Sequence, residues 1–415
     1  MKKLLISMPT CFRVDLVEEF LRTQMDLYNK YNIDICIYDS NEDDRCEEIV
    51  TEYKRKYNNL YYIRLAHNIH SNTKVFKIYQ LYGIKYDYEY VWMMQDAFRI
   101  TEKELYSILN VLKKDYDIIT LGCDDNNYIG NREYFDVCEY FRDSTWRITG
   151  YGTCIVKTDT MIRNVDWNYL SNKYLQDDCI NYSHIGYYFE QLLKISNPQM
   201  YFKHIEDDQY YWSELKKNSA WIQDTFEMLC EIWPCLINKL PSIYNIYKEE
   251  VIKSLPVNAV LLTYRNFVTL KKQNIYNNNI YKRYQGKWHL FSEIDENFLE
   301  ELSLATTDSE IELCEIKRIE AFCCDYKKIY IYGYGKIGIM ASQLLDKANI
   351  QWEAFLVSDI KNCQNINKDI IIEFNPKILD SPEVGIIMGL NYKNYKQVVH
   401  QFNIEQYESK LLTMY

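Results

Sequence analysis

The stretch Tyr-Val-Trp-Met-Met-Gln-Asp-Ala-Phe-Arg-Ile, residues 90–100, decides the fold that this sequence predicts. Its first five residues are apolar or aromatic without a break, a pattern typical of a strand buried on both faces of a parallel sheet. The run stops just before Asp96, and acids at the carboxyl end of a parallel strand lie where open α/β sheets bind ligands. Thr101 stands three residues before Glu104 in capping-box spacing, so Asp96 is alternatively part of a turn into a helix. The stretch alone leaves both interpretations open.

The segments before this stretch repeat one alternation of strand and helix. Apolar patterns predict three strands, each followed by a helix of amphipathic spacing: strands over residues 3–10, 33–38 and 60–64, and helices over residues 16–27, 45–57 and 74–82. Strands that alternate with helices pair in parallel, because each helix returns the chain to the same end of the sheet. The amino-terminal half is therefore predicted to be an α/β unit with a mostly parallel sheet.

Composition and charge argue against several classes of protein. A chain of 415 residues predicts two or three domains. The net charge of −11 argues against nucleic-acid binding, which needs a basic face. The thirteen cysteines follow no repeated spacing, so we expect reduced thiols rather than a disulfide framework or a zinc site. The first apolar run breaks at Ser7 and Pro9, and no run is long enough to span a bilayer. We therefore expect a cytoplasmic protein, either free or peripheral at the inner face of the membrane.

Polar motifs follow the second, third and fourth predicted strands. Asp39 and Ser40 follow the second strand, Asn68 follows the third, and Asp96 follows the fourth. In this order they resemble the nucleotide-sugar half of a family 2-like glycosyltransferase of the GT-A fold, although the glycine that the family carries near this asparagine is missing here. The resemblance implies that Asp39 and Ser40 contact the nucleotide. It assigns further nucleotide-sugar contacts to Asn68 and to the loop after the first strand, with Pro9, Thr10 and Arg13.

The resemblance also implies a divalent metal at the fourth strand, held by an Asp-x-Asp against the donor diphosphate. Here the triplet is Gln-Asp-Ala, residues 95–97, so only Asp96 remains. One carboxylate can still anchor Mn²⁺ or Mg²⁺ whose other ligands are phosphates and water, with a late histidine, His204, as a further ligand. Alternatively, the enzyme works without metal and neutralises the diphosphate with Lys74, Lys77 or Arg99. A third alternative is a fold that is no longer catalytic.

Two later motifs match the acceptor side of the same family. Gly152, in the run of residues 147–157, matches a strand whose glycines let the backbone approach the donor sugar, although an ordinary bulged strand fits the run equally well. Asp177 and Asp178 match the acidic start of the family's catalytic-base helix. An inverting transfer needs one carboxylate to take the proton of the acceptor hydroxyl, and the resemblance assigns this role to Asp178 or Asp177. As ordinary helix-start acids, they would only stabilise the first turn.

The middle of the chain, residues 216–325, loses the alternation of strands and acids. Aromatic and apolar residues at helical spacing predict a helical segment there. A loop or lid is expected over residues 271–285, and a helix with a charged face over residues 298–322. Nothing in residues 271–285 assigns chemistry to them, and the aromatic stripe, most simply core packing, could alternatively cover the active site or receive an acceptor.

A second glycine motif opens the carboxyl-terminal domain, residues 326–415. A strand runs into Gly-x-Gly-x-x-Gly at Gly333, Gly335 and Gly338, and Asp359 ends the next strand at the interval of a dinucleotide-binding unit. Glycines permit the tight turn, and a helix start favours a phosphate. The domain resembles the small Rossmann-like module appended to bacterial glycosyltransferases and sugar-modifying enzymes. It has half the length of a full dinucleotide domain and no partner for hydride transfer, so we expect a structural or assembly role rather than NAD binding.

The sequence therefore predicts an α/β protein in three parts: a GT-A domain over residues 1–215, a helical segment over 216–325, and a Rossmann-like domain over 326–415. By resemblance it is a hexosyltransferase that moves a sugar from a nucleotide-diphosphate donor, with UDP-sugars favoured. The implied acceptor is a glycan or glycoconjugate in bacterial surface polysaccharide or glycoprotein biosynthesis. The appended module is compatible with a homodimer. Two alternatives stay open, a non-catalytic GT-A-like partner protein and an NAD-dependent oxidoreductase built on the Gly333 loop.

Overall fold

The computed structural model describes residues 2–67, 69–85, 87–122, 130–206, 209–216, 220–360 and 370–415. The chain forms two compact units: the first includes most residues up to Ile252, and the second includes Lys253–Tyr415. The division between them falls inside the predicted helical segment, residues 216–325. Each unit has its own sheet and its own apolar core.

The first unit is built on a large sheet. Its strands are β1 (Lys2–Thr10), β2 (Asp34–Asp39), β3 (Leu60–Arg64), β4 (Tyr88–Met93), β5 (Phe98–Ile100), β6 (Ile118–Gly122), β7 (Arg132–Tyr134), β8 (Cys154–Lys157), β9 (Met200–His204) and β10 (Tyr210–Trp212). Eight of them form one sheet in the order β3-β2-β1-β4-β8-β6-β9-β7, and β5 pairs with β10 in a separate ribbon.

The strands of this sheet mostly point one way. The strands β1, β2, β3, β4, β6 and β9 are parallel, whereas β7 and β8 run against them. This confirms the predicted mostly parallel sheet. Thr10 is level with Asp39 in the β1–β2 pair, and Ser7 is level with Met93 in the β1–β4 pair. The loops after β1, β2 and β4 therefore start at the same edge, where α/β sheets bind their ligands.

Helices cover the sheet of the first unit. They are α1 (Val14–Lys30), α2 (Arg45–Lys54), α3 (Ser71–Lys85), α4 (Glu102–Val111), α5 (Val137–Ser144), α6 (Thr158–Met161), α7 (Trp167–Tyr174), α8 (Ser183–Leu192), α9 (Thr225–Glu227), α10 (Trp233–Lys239) and α11 (Lys248–Asn258), the last of which crosses the division between the units. The helix α1 buries Val17, Phe20 and Met25 in the cluster that also holds Ile6 and Ile35 of the sheet. Each such side chain contributes roughly 1.5–3 kcal/mol when fully buried.

The stretch at residues 90–100 has both features that the sequence predicts for it. Its apolar residues form β4, in which Trp92 is fully buried. Thr101 begins α4, and its hydroxyl accepts the backbone N–H of Glu104 at 3.3 Å. Asp96 lies between the two, in the turn that joins β4 to β5. The buried strand delivers this acid to the edge of the sheet.

The second unit has a smaller, wholly parallel sheet. Its strands β11 (Lys328–Tyr332), β12 (Phe355–Val357), β13 (Ile371–Glu373), β14 (Val384–Met388) and β15 (Leu411–Thr413) lie in the order β13-β12-β11-β14-β15. Counted within the unit, this is the order 3-2-1-4-5 of a doubly wound sheet. The helices of the unit are α12 (Tyr264–Lys272), α13 (Asn278–Arg283), α14 (Glu296–Leu304), α15 (Asp308–Cys323), α16 (Lys336–Lys347) and α17 (Tyr392–Phe402).

Two expectations for the middle of the chain were wrong. The segment 271–285, expected as a loop, contains α13, whose first turn is capped by the side chain of Asn277. The segment 298–322, expected as one helix, holds parts of two, because Thr307 and Glu310 form a complete capping box that starts α15. Throughout the described chain, every helix falls short of the length or apolar content that crossing a bilayer requires.

Candidate functional site

A cavity of about 390 Å³ opens where the loops after β1 and β4 meet. The two strands are neighbours in the sheet, and the start of α3 and the loop before β8 complete the walls. The lining residues are Pro9, Thr10, Cys11, Arg13, Ser71, Lys74, Gln95, Asp96 and Tyr151. Five of these were singled out from the sequence as nucleotide-sugar contacts: Pro9, Thr10, Arg13, Lys74 and Asp96. They come together here although Thr10 and Asp96 are 86 positions apart in the chain.

Asp96 is fully buried at the base of the cavity, and donors engage both of its oxygens. The Thr10 hydroxyl donates to Oδ2 at 2.7 Å, and Arg13 Nε donates to the same oxygen at 3.1 Å. Arg13 Nη2 donates to Oδ1, which makes the pair bidentate. Burial raises the pKa of the Asp96 carboxyl, and the Arg13 guanidinium and the Thr10 hydroxyl oppose that rise.

Lys74 brings a second cation to the cavity wall. It lies on the first turns of α3 and is only 3% exposed. Its ammonium donates one hydrogen bond to the carbonyl of Thr10 at 2.8 Å. An ammonium carries three N–H donors, so two remain for other acceptors. Burial lowers the pKa of Lys74, because the low-dielectric surroundings disfavour the charged form.

Asp39 and Ser40 lie behind the cavity rather than in its lining. Asp39 is buried, and its carboxylate accepts the N–H of Asn41 at 2.9 Å and the Tyr62 hydroxyl at 2.8 Å. Ser40 donates to the carbonyl of Thr10 from its backbone N–H at 3.3 Å and from its hydroxyl at 3.4 Å. The turn after β2 therefore holds the loop after β1 in place.

The loop after β1 carries an unusual residue. Phe12, between the lining residues Cys11 and Arg13, has φ +56° and is 69% exposed. A phenylalanine in the left-handed region is strained, and such strain is concentrated at functional sites. Its N–H is held by the side chain of Asn41. The loop is thus fixed in a conformation that its own residues disfavour.

The two other cations that the sequence offered for charge neutralisation lie elsewhere. Arg99 is buried, and its guanidinium donates to Glu19 Oε2 at 2.6 Å and to the carbonyls of Leu16 and Asp96 at 3.0 and 2.7 Å. It holds the backbone of Asp96 and does not line the cavity. Lys77 is exposed on α3 and is not a lining residue either. Of the three predicted cations, only Lys74 lines the cavity.

Another part of the cavity wall is formed by Tyr151, which the sequence placed only within a glycine-containing run. Its hydroxyl donates to Asn72 Oδ1 at 2.5 Å, and its ring lies 4.8 Å from the ring of His184. His184 is buried, with Nε2 at 2.8 Å from the carbonyl oxygen of Ile148, and burial lowers the pKa of His184 to about 4. Sequence reasoning missed Asn72 and His184. The only sequence signal for His184 was a polar side chain in the largely apolar helix α8. The only sequence signal for Asn72 was a polar side chain at the start of α3.

Gly152 lies beside this wall but packs into the core. Its φ is +103°, and its carbonyl accepts Trp92 Nε1 at 2.8 Å and the Tyr210 hydroxyl at 2.9 Å. A Cβ at this position would lie 2.7 Å from the Tyr210 hydroxyl oxygen. Close packing therefore requires the glycine, whatever else it does.

The predicted acceptor-side acids can be followed only in part. Asp177 and Asp178 begin a 3₁₀ turn, Asp177–Tyr182, directly before α8, and their side chains lie outside the described part of the structure. The turn is tied to α3, because Asn72 Nδ2 donates to the carbonyl of Asn181 at 3.0 Å. Asn68 also falls outside the described residues.

The residues at Asp96 do not fit a divalent metal site. His204 ends β9, three strands from β4 in the sheet and so about 14 Å away at ordinary strand spacing, and it does not line the cavity. Arg13 occupies the carboxylate that would have to hold the ion, as the bidentate pair described above. Among the described side chains, no three from His, Cys, Asp and Glu converge in a way that could hold a metal.

The glycine loop of the second unit has a different construction. Gly333 has φ +94°, and a Cβ on Gly338 would lie 1.9 Å from the carbonyl oxygen of Gly333. At Gly335, the residue before α16, a Cβ would meet nothing within 4 Å. Asp359 is exposed just after β12. The positions of the glycines follow the dinucleotide-binding pattern, and the contact between Gly333 and Gly338 is one of packing.

No protein-family model matches the sequence, and the comparison with curated proteins found no match. Solved structures resemble it at low identity. S. aureus TarS 1–349 in complex with UDP-GlcNAc is 13% identical, with 77% of this chain and 92% of that chain covered and a TM-score of 0.45. For the longer S. aureus TarS structure, 53% of that chain is covered.

Two further structures were found at similar distance. Glucosyl-3-phosphoglycerate synthase from Mycobacterium tuberculosis, in complex with Mn²⁺, UDP and glucosyl-3-phosphoglycerate, is 7% identical, with 58% of this chain and 81% of that chain covered and a TM-score of 0.37. The mannosyltransferase PcManGT from Pyrobaculum calidifontis, in complex with GDP-Man and Mn²⁺, is 8% identical, with 69% and 84% covered and a TM-score of 0.36. These likenesses are distant, so the function has to be inferred from the cavity itself.

Proposed function

We propose that this chain is a glycosyltransferase that binds a nucleotide-diphosphate-sugar donor in the cavity between the β1 and β4 loops. The observation that carries the proposal is the convergence of Arg13 and Lys74 on one cavity, at the edge of the sheet where ligands bind. Breaking a glycosidic phosphate ester releases a diphosphate, whose charge must be neutralised. Two cations beside one carboxylate leave the cavity wall with a net positive charge that suits this leaving group.

The size and chemistry of the cavity support the same conclusion. A volume of about 390 Å³ lies within the range of roughly 300–1,000 Å³ that small-molecule sites occupy. The planar guanidinium of Arg13 presents paired donors that match phosphate oxygens, whereas Lys74 supplies a point charge. Pro9, Thr10 and the Asp39–Ser40 turn are proposed to position the nucleoside next to these cations. A UDP-sugar is the favoured donor, and a hexose the favoured sugar.

The transfer itself is proposed to invert the anomeric carbon. The acceptor hydroxyl of a glycan or glycoconjugate attacks this carbon, and Asp178 or Asp177 takes the hydroxyl proton as general base. The bond from the anomeric carbon to the β-phosphate oxygen breaks, and its electron pair leaves with the nucleoside diphosphate. Synthesis of a bacterial surface polysaccharide or glycoprotein is the setting that the sequence resemblance favours.

Calorimetric titration of the full chain with UDP tests the donor site. Wild-type protein is expected to bind UDP, and Lys74→Ala is expected to weaken binding about tenfold or more, the effect of losing a charge-assisted hydrogen bond. Lys77→Ala is the matched control, because Lys77 lies on the same helix and is exposed outside the cavity. Equal losses in both variants would exclude Lys74 as a specific UDP contact, and no binding of any nucleotide would favour a non-catalytic partner protein.

The oxidoreductase alternative has less support. A Cβ added at Gly338 would lie 1.9 Å from the Gly333 carbonyl oxygen, so packing alone explains that glycine. We therefore propose a structural or assembly role for the second unit, with NAD not required.

A further inference from the structure

The donor cavity raises the question of which positive charge faces the diphosphate. If the proposed function holds, two charged phosphates enter a cavity in which Asp96 is the only acid among the described lining residues. Its flanking positions are Gln95, which lines the cavity, and Ala97, which is buried. A single carboxylate could serve either as an anchor for a metal ion or as an anchor for a cationic side chain.

The hydrogen bonds of Asp96 favour the second role. Arg13 binds the carboxylate side-on through Nε and Nη2, and the Thr10 hydroxyl donates at 2.7 Å. A divalent ion at the same carboxylate would meet the guanidinium at close range and be repelled by it. The backbone of Arg13 is also fixed by hydrogen bonds to the start of α1. The carbonyl of Arg13 accepts the first N–H groups of α1, from Leu16 and Val17, at 3.1 and 3.2 Å.

Arg13 keeps donors for a ligand while Asp96 holds it. A guanidinium has five N–H donors, and Asp96 uses the one on Nε and one on Nη2. The side chain is 41% exposed, although its partner carboxylate is fully buried. Lys74, another lining residue, donates one of its three N–H groups to the Thr10 carbonyl, which leaves two N–H donors for a ligand. The cavity thus presents two fixed cations, each with N–H donors left for a ligand.

We infer that Arg13 and Lys74 take the place of a divalent metal, so that the donor diphosphate binds and leaves without one. Asp96 is then a positioning residue that orients Arg13 and is not a metal ligand. As the bond between the anomeric carbon and the β-phosphate oxygen breaks, the electron pair moves to that oxygen, and the Arg13 guanidinium and Lys74 ammonium face the charge that develops. The step needs no co-reactant beyond donor and acceptor.

Titrations with uridine, UMP and UDP, each in EDTA and each with Mn²⁺, test this inference in the full chain. The wild type is expected to bind UDP in EDTA within about twofold of its affinity in Mn²⁺, and to prefer UDP over uridine. Arg13→Ala is expected to lower UDP affinity about tenfold or more, with uridine affinity unchanged. Asp96→Ala is expected to lower UDP affinity in EDTA as well, because Arg13 loses its anchor.

Controls separate charge from folding. Arg22→Ala removes an exposed arginine of α1 and is expected to bind all three ligands as the wild type does. Arg13→Lys keeps the charge but loses the paired donors, and should recover part of the UDP preference. UDP binding that appears only with Mn²⁺ would overturn the inference and leave the donor site standing. No binding of uridine, UMP or UDP in either buffer would overturn the donor site and this inference together.

Discussion

Two loops of this protein occupy the same topological position in separate sheets. One follows β1 and faces the loop after β4; the other follows β11 and faces the loop after β14. In each sheet the second and third strands lie on one side of the first strand and the fourth lies on the other. The chain therefore reverses its direction of progress at this point, where doubly wound sheets place their ligand crevices.

The two crevices are built from different groups. In the first unit, charged side chains line an open cavity of about 390 Å³. In the second, backbone meets backbone: a Cβ on Gly389 would lie 2.5 Å from the Cα of Gly338, and the Gly389 N–H donates to the Tyr332 carbonyl at 2.8 Å. Equal topology thus gives one site with convergent charges and one in which close backbone packing requires glycine. The position of a crevice follows from strand order, but its chemistry comes only from the side chains that reach it.

The backbone packing in the crevice of the second unit gives the largest expected effect on stability. Gly338→Ala places a methyl group 1.9 Å from the Gly333 carbonyl oxygen, an obstacle of backbone that no side-chain rotation relieves. We expect a loss of about 3 kcal/mol or more, at or above the upper end of overpacking effects. Gly335→Ala is the control, because its Cβ meets nothing within 4 Å and its φ is −90°. Hydrogen exchange of amides in β11 and β14 measures both variants, and equal protection in the two would contradict a packing requirement for glycine at position 338.

The wall of the open crevice is expected to be sensitive to acid. Burial lowers the pKa of His184 to about 4 from 6.5, so the unfolded chain takes up a proton before the folded one does. The contribution of His184 to the free energy of unfolding is complete above pH 6.5 and is lost as the pH falls from 6.5 to 4. The loss amounts to about 3 kcal/mol for a shift of this size. Tyr151, which lines the cavity, lies against this ring.

Urea unfolding at pH 7 and pH 4 checks this prediction. In His184→Gln, the decline in stability between the two pH values should be smaller than in the wild type by about 3 kcal/mol. His289→Gln, at an exposed histidine, should decline as the wild type does. An unchanged decline in His184→Gln would show that other groups govern the acid response.

Sequence patterns predicted the strands well because burial on both faces leaves an unmistakable apolar run. The predicted strand at residues 33–38 matches β2 (Asp34–Asp39) to within one residue, every residue of β2 is buried, and the run before Asp96 is β4. A local signal for the start of α15 was also present, in Thr307 and Glu310, and was overlooked. Local patterns of this kind carry the secondary structure and the edge at which the site lies.

The pairings inside the site could not be predicted in the same way. Arg13 and Asp96 are 83 positions apart and meet only because β1 and β4 are neighbours in the sheet. The same dependence on strand order separates His204 from Asp96, which the sequence had grouped at one metal. Arg99 looked available for charge, yet it is occupied by Glu19 and by backbone carbonyls. Such outcomes depend on tertiary contacts that no single stretch encodes.

Lys74, the buried lysine of the cavity, is expected to lose its proton at a lower pH than an ordinary lysine. Burial lowers the pKa of Lys74 below its usual value near 10.5, so its charge is lost at a lower pH than that of an ordinary lysine. UDP affinity should therefore begin to fall below pH 10.5, by up to about tenfold when the charge is gone. Lys74→Arg keeps its charge throughout and should flatten this decline. Ionisation of UDP affects both proteins equally, so the difference between their binding profiles isolates Lys74; identical profiles would exclude it.

The smallest expected effect concerns the residue with positive φ in each loop. The positive φ after β11 is held by Gly333, whereas the positive φ after β1 is held by Phe12, for which it is costly. Phe12→Gly and Phe12→Ala both remove the ring, but only glycine relieves the strain. We therefore expect Phe12→Gly to be the more stable of the two by about 1 kcal/mol, measured by thermal unfolding.

The same two variants test why position 12 is a phenylalanine. If the exposed ring contacts the donor nucleoside, both variants should bind UDP about threefold more weakly than the wild type, a loss typical of one aromatic contact. Phe12→Gly would then relieve the strain and still lose affinity, which would show that the strain is retained for the ring that it presents. Unchanged UDP affinity in both variants would mean that the strain serves only the shape of the loop, and the charges of Arg13 and Lys74 would then be what distinguishes the crevice of the first unit as a ligand site.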